Sequence, residues 1–369
     1  MESVLPSVSP KQLKSLLVNY FKLPTLPNGR RRRPLRVVSS PGMGKTEIAY
    51  QSGEAVALPV FELRLVQHET VDITGAIGID QATQTASWYP FEEMYPTDPK
   101  WEGVIYLGET GQLDTSMQKI IMGMLDRGGI AGRRIPAGAR FLMDGNRQHD
   151  RASSTRLLTP IENRSLSVEL KFSLDDWIAW AAAKDIHHVV QSYAEFVGAD
   201  EFVPKFNPAE EIHATPRSWA AVSDELQARP GSDGSAENAE VRTVVHGLVG
   251  PGPVAQFMAF REHFHLLHGT VDKVFDEPEE INTDSLERSA QHALVGAIAS
   301  RLKERNGSTT DQQMQNITTF ANRGLSKTLQ TLLILHCDRA TAGTEHWKQS
   351  AGRKKWLAAN ADLITGAIR

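Results

Sequence analysis

A single cysteine, Cys337, occurs in the 369 residues. Internal disulfides and cysteine-built metal clusters are therefore excluded, and the chain suits a reducing compartment. Long apolar runs are also missing. Nothing approaches the length of a membrane-spanning helix, and the N-terminus lacks the basic-then-apolar layout of a secretory leader. The expectation is a cytoplasmic protein with no membrane partner. Positive charge is not in excess either. The 40 Lys and Arg against 44 Asp and Glu leave a net charge of −4 and a pI near 6.3, which gives no whole-molecule attraction to nucleic acid or anionic lipid. No internal repeat is visible. Core-forming material is plentiful: at 40% hydrophobic residues the chain can bury a sizeable core, and its length points to two domains.

One segment stands out against that background. Leu35-Arg36-Val37-Val38 reads as a short strand, Ser39-Ser40-Pro41-Gly42-Met43-Gly44-Lys45-Thr46 as a tight glycine-containing loop, and Glu47-Ile48-Ala49-Tyr50 as the start of a helix. Strand, glycine loop and helix in that order form a phosphate cradle. Main-chain N–H groups turn inward at phosphate oxygens, and the helix dipole favours the anion. Lys45 reaches the β- and γ-phosphates and the Thr46 hydroxyl ligates Mg²⁺. The candidate ATP-binding residues are thus Ser40, Pro41, Gly42, Met43, Gly44, Lys45, Thr46 and Glu47, with Thr46 as metal ligand. Ser39 stands where the first glycine of such loops is usual.

The surrounding chain alternates strands and helices. Ser9-Pro10 predicts a helix start, with Leu13, Leu16, Leu17, Tyr20 and Phe21 on one stripe. Strands are expected at Val60–Leu65, Val104–Leu107, Arg140–Met143 and Leu166–Leu170, with a helix over Leu113–Leu125. This is the pattern of an α/β layered domain with a mostly parallel sheet. Beyond Ser173 the chain reads as helices, interrupted by exposed loops near Arg229–Ser235 and Glu277–Asp284. The expected divisions are an N-terminal helix and basic linker over 1–34, an α/β nucleotide-binding core over 35–172, and a helical lid with C-terminal extension over 173–369.

A second acidic element narrows the chemistry. Gly103-Val104-Ile105-Tyr106-Leu107-Gly108-Glu109-Thr110 is an apolar strand ending in a carboxylate, where phosphate-loop ATPases carry Asp-Glu. The aspartate of that pair organises Mg²⁺ and the glutamate polarises the attacking water. Here Glu109 is present and the aspartate position is Gly108. Slow hydrolysis follows, unless another acid substitutes; Asp144 qualifies if its strand lies next in the sheet. Restoring aspartate at Gly108 then tests whether the missing carboxylate limits turnover. Phe141-Leu142-Met143-Asp144-Gly145-Asn146-Arg147 is a further strand ending in a polar residue, and the Asn146 carboxamide could orient the lytic water or touch the γ-phosphate.

The order of these elements resembles the AAA+ ATPases of the MoxR branch, from about Leu35 to about Leu226. The resemblance implies a P-loop core with a parallel five-stranded sheet, followed by an all-α lid and C-terminal domain. It places the Walker B glutamate on Glu109, the sensor 1 asparagine on Asn146, the arginine finger on Arg164 and the sensor 2 arginine on Arg217. The family's Asp-Asp-Trp is matched by Asp175-Asp176-Trp177. Arg156, one short helix earlier, shares the finger assignment with Arg164. The resemblance further implies a homo-oligomeric ring or spiral, usually hexameric, with ATP at each junction. It also implies a hairpin insertion from Asp72 to Pro90, a second hairpin over Ile130–Gly138, and a partner with a von Willebrand A-type (VWA) domain. A cation supplied from outside the core has an independent rationale, because phosphoryl transfer spreads negative charge over the γ-phosphate oxygens.

Three readings stay open. The first is an ATPase that remodels a partner protein. The second is a nucleic-acid-associated ATPase whose ring or spiral encloses or coats DNA; it draws on Arg30–Arg33 with Arg36, on Arg133 and Arg134, and on Arg353, Lys354 and Lys355, although a solvated loop is the commoner meaning of such a run. The third is an ATP-gated scaffold that scarcely hydrolyses. His263, His265 and His268 do not share a helical face and lack acidic partners at ligand spacing, so no metal site is expected there. Ser153-Ser154 lacks a His/Asp partner for a hydrolase triad. Trp177, Trp180 and Trp219 read as packing, as do Met117, Met122 and Met124.

Overall fold

A computed structural model describes residues 5–360, apart from 24, 27, 29, 90, 92–93, 131–132, 148–156, 208, 230–237, 284–285, 306–307 and 342–344. The chain divides into two compact units, Met1–Ser173 with Phe206–Ala209, and Leu174–Lys205 with Glu210–Arg369.

The first unit is built on parallel strands. These are β1 (Ser7–Val8), β2 (Leu35–Ser39), β3 (Val60–Arg64), β6 (Glu102–Gly108), β9 (Gly138–Asn146) and β10 (Leu166–Leu170), arranged in the order β1-β10-β2-β9-β6-β3. Two antiparallel hairpins interrupt the series, β4 (Ala76–Asp80) with β5 (Thr85–Tyr89), and β7 (Gly129–Ile130) with β8 (Arg133–Arg134). The helices are α1 (Pro10–Phe21), α2 (Lys45–Glu54), α3 (Thr70–Thr74), α4 (Thr115–Arg127) and α5 (Thr159–Arg164). The expected five parallel strands are all present. The sixth, β1, pairs with β10 at the edge through Ser7 and Val8. Two residues are too few for a period to show, so only the pairing reveals it.

Apolar strands without alternation belong in a sheet covered on both sides, and the two faces bear this out. Leu63, Ile105, Leu107, Phe141 and Met143 pack with Met117, Ile121 and Met124 of α4. Leu35, Val37, Val104, Tyr106 and Leu142 pack on the other face with Leu13, Leu17 and Phe21 of α1 and with Ile48 and Ala49 of α2. Helix α1 starts where its sequence directs: the Ser9 hydroxyl accepts the Gln12 N–H, and Gln12 Oε1 accepts the Ser9 N–H in a reciprocal capping box. The order of strands matters most for function. Strand β9 lies between β2 and β6, so three strand ends open side by side at the carboxyl edge, where ligands of open α/β sheets bind.

The second unit is helical throughout its described residues after α6 (Leu174–Ala183), α7 (His188–Val197), α8 (Ala199–Phe202) and α9 (Pro216–Gln227), with further helices from Asn238 to Ala359. Its interior is aromatic. The Phe202 and Trp219 rings stack 4.9 Å apart at 12°, and Trp177, Tyr193 and Phe257 close around them. The Trp219 indole N–H donates to the Phe202 carbonyl at 2.7 Å. These rings are core, not a base-stacking platform. The architecture is therefore a P-loop-type parallel sheet core followed by an extensive helical unit, as the sequence led one to expect. No helix among the described residues is long and apolar enough to cross a membrane.

Candidate nucleotide site

Strand β2 ends at Ser39 and helix α2 begins at Lys45, so the loop between them turns through five residues. Gly42 and Gly44 take left-handed backbone, with φ of 74° and 84°, a region that costs a side chain roughly 1–2 kcal/mol. Nothing lies within 4 Å of a Cβ built on Gly44, so conformation and not crowding calls for glycine there. The α2 N-terminus has no side-chain cap. Its first N–H groups have no intrahelical acceptor, which suits an anion.

Lys45 folds back across this loop. Its Nζ donates to Ser39 Oγ at 3.0 Å and to Asn146 Oδ1 at 3.3 Å. The departure at Ser39 thus has a structural use, since the fully buried hydroxyl holds the ammonium over the loop. Asn146 reaches the same point because β9 adjoins β2 in register, Ser39 opposite Asn146. Sequence reasoning singled out Lys45 and Asn146 separately; the sheet brings them together. Ser40, Pro41, Met43 and Thr46 are half-buried around them, and Glu47 is exposed in the first turn of α2.

A second constellation lies beside the first. The Thr46 hydroxyl is 3.2 Å from the Tyr106 hydroxyl, and the Asp144 carboxylate lies near that phenol. Burial, with the Asp144 carboxylate beside it, pushes the Tyr106 phenol well above its ordinary range, so it stays a neutral donor at physiological pH. Asp144 Oδ1 in turn accepts the Glu109 N–H at 2.6 Å, and Thr110 Oγ1 donates to the Asp144 carbonyl at 2.5 Å. Glu109 has φ 58°, a left-handed conformation that a non-glycine residue adopts only where its surroundings hold it. The Asp144 contact is such a restraint. Neither Tyr106 nor its hydroxyl's position was visible in the sequence, where Tyr106 passed as one more apolar strand residue.

Gly108 shares a strand face with Tyr106, two residues before it, and its nearest side chains belong to β3. A Cβ there would meet Arg64 Cγ at 3.8 Å and Glu62 Oε1 at 4.0 Å, ordinary contacts that leave room for a side chain. Glu62 itself is engaged: Arg64 Nε donates to it at 2.7 Å and the Tyr50 hydroxyl at 3.0 Å.

Of the arginines expected to act on phosphate, Arg164 and Arg217 are among the described residues. Arg164, the last residue of α5, pairs with Asp126 at 2.5 Å and donates to the Pro160 carbonyl at 3.0 Å, with its side chain 45% exposed. Arg217 is exposed at the start of α9, in the other unit. Arg156 lies outside the described residues, as do Ser153 and Ser154 and the side chains of His263, His265 and His268. Among the described residues no group of three His, Cys, Asp or Glu could hold a metal ion.

The basic run is partly occupied by the fold. Arg31 donates to the Ile135 and Pro136 carbonyls at 3.1 and 2.9 Å and lies 5.2 Å over the Phe141 ring. Arg33 donates to the Asn163 carbonyl at 3.1 Å. Arg353 is held bidentately by Asp338, at 2.6 and 2.8 Å. Arg134 on β8 is exposed.

Comparison with known proteins adds little. No family model matches the chain, and no curated protein matches it. Among solved structures, the Thermotoga maritima RuvB Holliday junction branch migration motor is 14% identical over 75% of this chain and 79% of that chain, with a TM-score of 0.37. A point mutant of the same RuvB is 13% identical over the same shares, at 0.36. Likeness of this degree assigns neither a family nor an activity, and none of it singles out the MoxR branch.

Proposed function

We propose that the chain is an ATPase of the AAA+ type, working as a homo-oligomer and coupling ATP turnover to the remodelling of a macromolecular partner. The observation that carries this reading is the convergence of Lys45, Ser39 and Asn146 over a left-handed glycine turn at the uncapped start of α2. A lysine so placed exchanges its side-chain acceptors for phosphate oxygens when a nucleotide enters. Asn146 is then left beside the γ-phosphate. Thr46 is the residue suited to hold Mg²⁺, which would supply positive charge against the phosphates.

Glu109 is the general base in this reading, its backbone restrained by Asp144. Arg164 is the finger for a neighbouring subunit's nucleotide: in its own subunit it is tied to exposed Asp126, and an exposed pair of this kind is worth at most about 1 kcal/mol, little to surrender on assembly. Arg217 serves as the lid sensor and Arg156 as an auxiliary cation. A ring or spiral of six subunits and a VWA-domain partner are the finer form of the proposal, resting on the MoxR-like order of motifs.

Calorimetric titration of ATP into the full chain tests the reading. Wild type binds ATP, and Lys45→Ala weakens binding at least tenfold, about 1.4 kcal/mol, without loss of fold by circular dichroism. Equal ATP affinity in both would sink it. DNA as the partner is the second reading, supported by exposed Arg134 and weakened by the internal contacts of Arg31, Arg33 and Arg353. A rate of phosphate release that rises with DNA and falls steeply with salt would favour it.

A further inference from the structure

The strand position that ordinarily supplies a metal-organising acid is Gly108, yet a carboxylate does stand at that level of the sheet. Strand β9 runs parallel between β6 and β2, pairing Leu107 with Met143 and Val37 with Asp144. One step on, Gly108 and Asp144 are neighbours across the strands, and Asp144 is one strand nearer the phosphate loop. It is 6% exposed. The Glu109 N–H donates to it at 2.6 Å, and the Tyr106 hydroxyl of the adjacent strand lies 3.2 Å from the Thr46 hydroxyl. A carboxylate accepts up to about four hydrogen bonds, so capacity remains for a hydrated cation. Glu62, the other acid near Gly108, is taken by Arg64 and Tyr50, and Glu109 points to the exposed side.

We infer that Asp144 performs the metal-organising role that Gly108 cannot. This rests on the ATPase reading of the site. A small hard cation such as Mg²⁺ retains several waters and needs one or two carboxylates besides phosphate. A buried acid on the strand between Gly108 and the phosphate loop meets that requirement. The same carboxylate restrains Glu109, so metal and general base answer to one residue.

The test is calorimetric titration of ATP and of ADP into the full chain, each with Mg²⁺ and with EDTA. In wild type Mg²⁺ strengthens ATP binding. Asp144→Asn keeps an acceptor for the Glu109 N–H and loses the charge. Its affinities in EDTA stay within about threefold of wild type, while the gain from Mg²⁺ falls at least tenfold. Adding Gly108→Asp to that variant restores most of the gain. Gly108→Asp alone changes the gain less than threefold, because the role is already filled. The inference is overturned if Asp144→Asn keeps the wild-type gain. It is equally overturned if Gly108→Asp alone raises the gain tenfold or more, a measurement that stands even where Asp144→Asn does not fold. A wild-type chain that binds neither nucleotide takes down the ATPase reading itself and this inference with it, a result distinct from the other two.

Discussion

The two units of this chain use buried polar groups in opposite ways. In the α/β unit they gather at the carboxyl edge of the sheet, where Ser39, Tyr106, Asp144 and Thr110 are buried and bond to Lys45, Thr46 and Glu109. In the helical unit the interior holds stacked rings such as Phe202 and Trp219, and buried polar groups stitch helices together, as Asn316 does by donating to the Phe275 carbonyl. Parallel strands end level with one another and deliver side chains from distant parts of the sequence to one line. Packed helices meet along their flanks and bury area instead. Chemistry is therefore expected from the first unit and stability from the second.

Three substitutions press on that contrast. The largest effect is expected from the first unit: Arg164→Ala lowers turnover about 10³-fold or more, the range for a finger arginine, with ATP affinity nearly unchanged. Mixing it with inactive Glu109→Gln subunits then rescues activity, because each supplies what the other lacks. A rate within tenfold of wild type for Arg164→Ala, or no rescue, removes the trans finger. Next comes Trp219→Ala in the second unit. Truncating a fully buried tryptophan costs about 3–5 kcal/mol, to be read by denaturant unfolding, while ATP affinity of the folded variant stays within about threefold. Loss of ATP binding in a folded variant would show that the helical unit contributes to the site more than packing. The smallest is Ser9→Ala, which removes the α1 cap at a cost of about 1 kcal/mol. A change in nucleotide affinity with no change in stability would mean that α1 acts on the loop and not merely as its support.

Local features were the most legible. The candidate phosphate loop is eight contiguous residues, and its glycines and lysine suggest that reading without wider context. The capped start of α1 at Ser9-Pro10 is equally local, and Leu166–Leu170 matches its strand residue for residue. The candidate site was legible only in part. Lys45, Thr46, Glu109 and Asn146 were nameable singly, and Asp144 only on the condition that β9 adjoined the acidic strand. Ser39 looked like a blemish in the motif, and it holds Lys45. The arginine run looked like free charge, and Arg31 and Arg33 bond main-chain carbonyls. What these have in common is dependence on a partner about a hundred residues away, or on a neighbour whose direction the fold decides.

By itself, then, the amino-acid order determined the cradle, the alternation of strand and helix and the switch to an all-helical second half, because each follows from backbone preference and burial period within a short window. The tertiary structure alone decided that β9 runs between β2 and β6, and hence that Asn146 meets Lys45 while Asp144 lies beside Tyr106 and Glu109. Strand order is set by which apolar faces cover the sheet as a whole, a collective outcome of long-range packing that no single segment encodes.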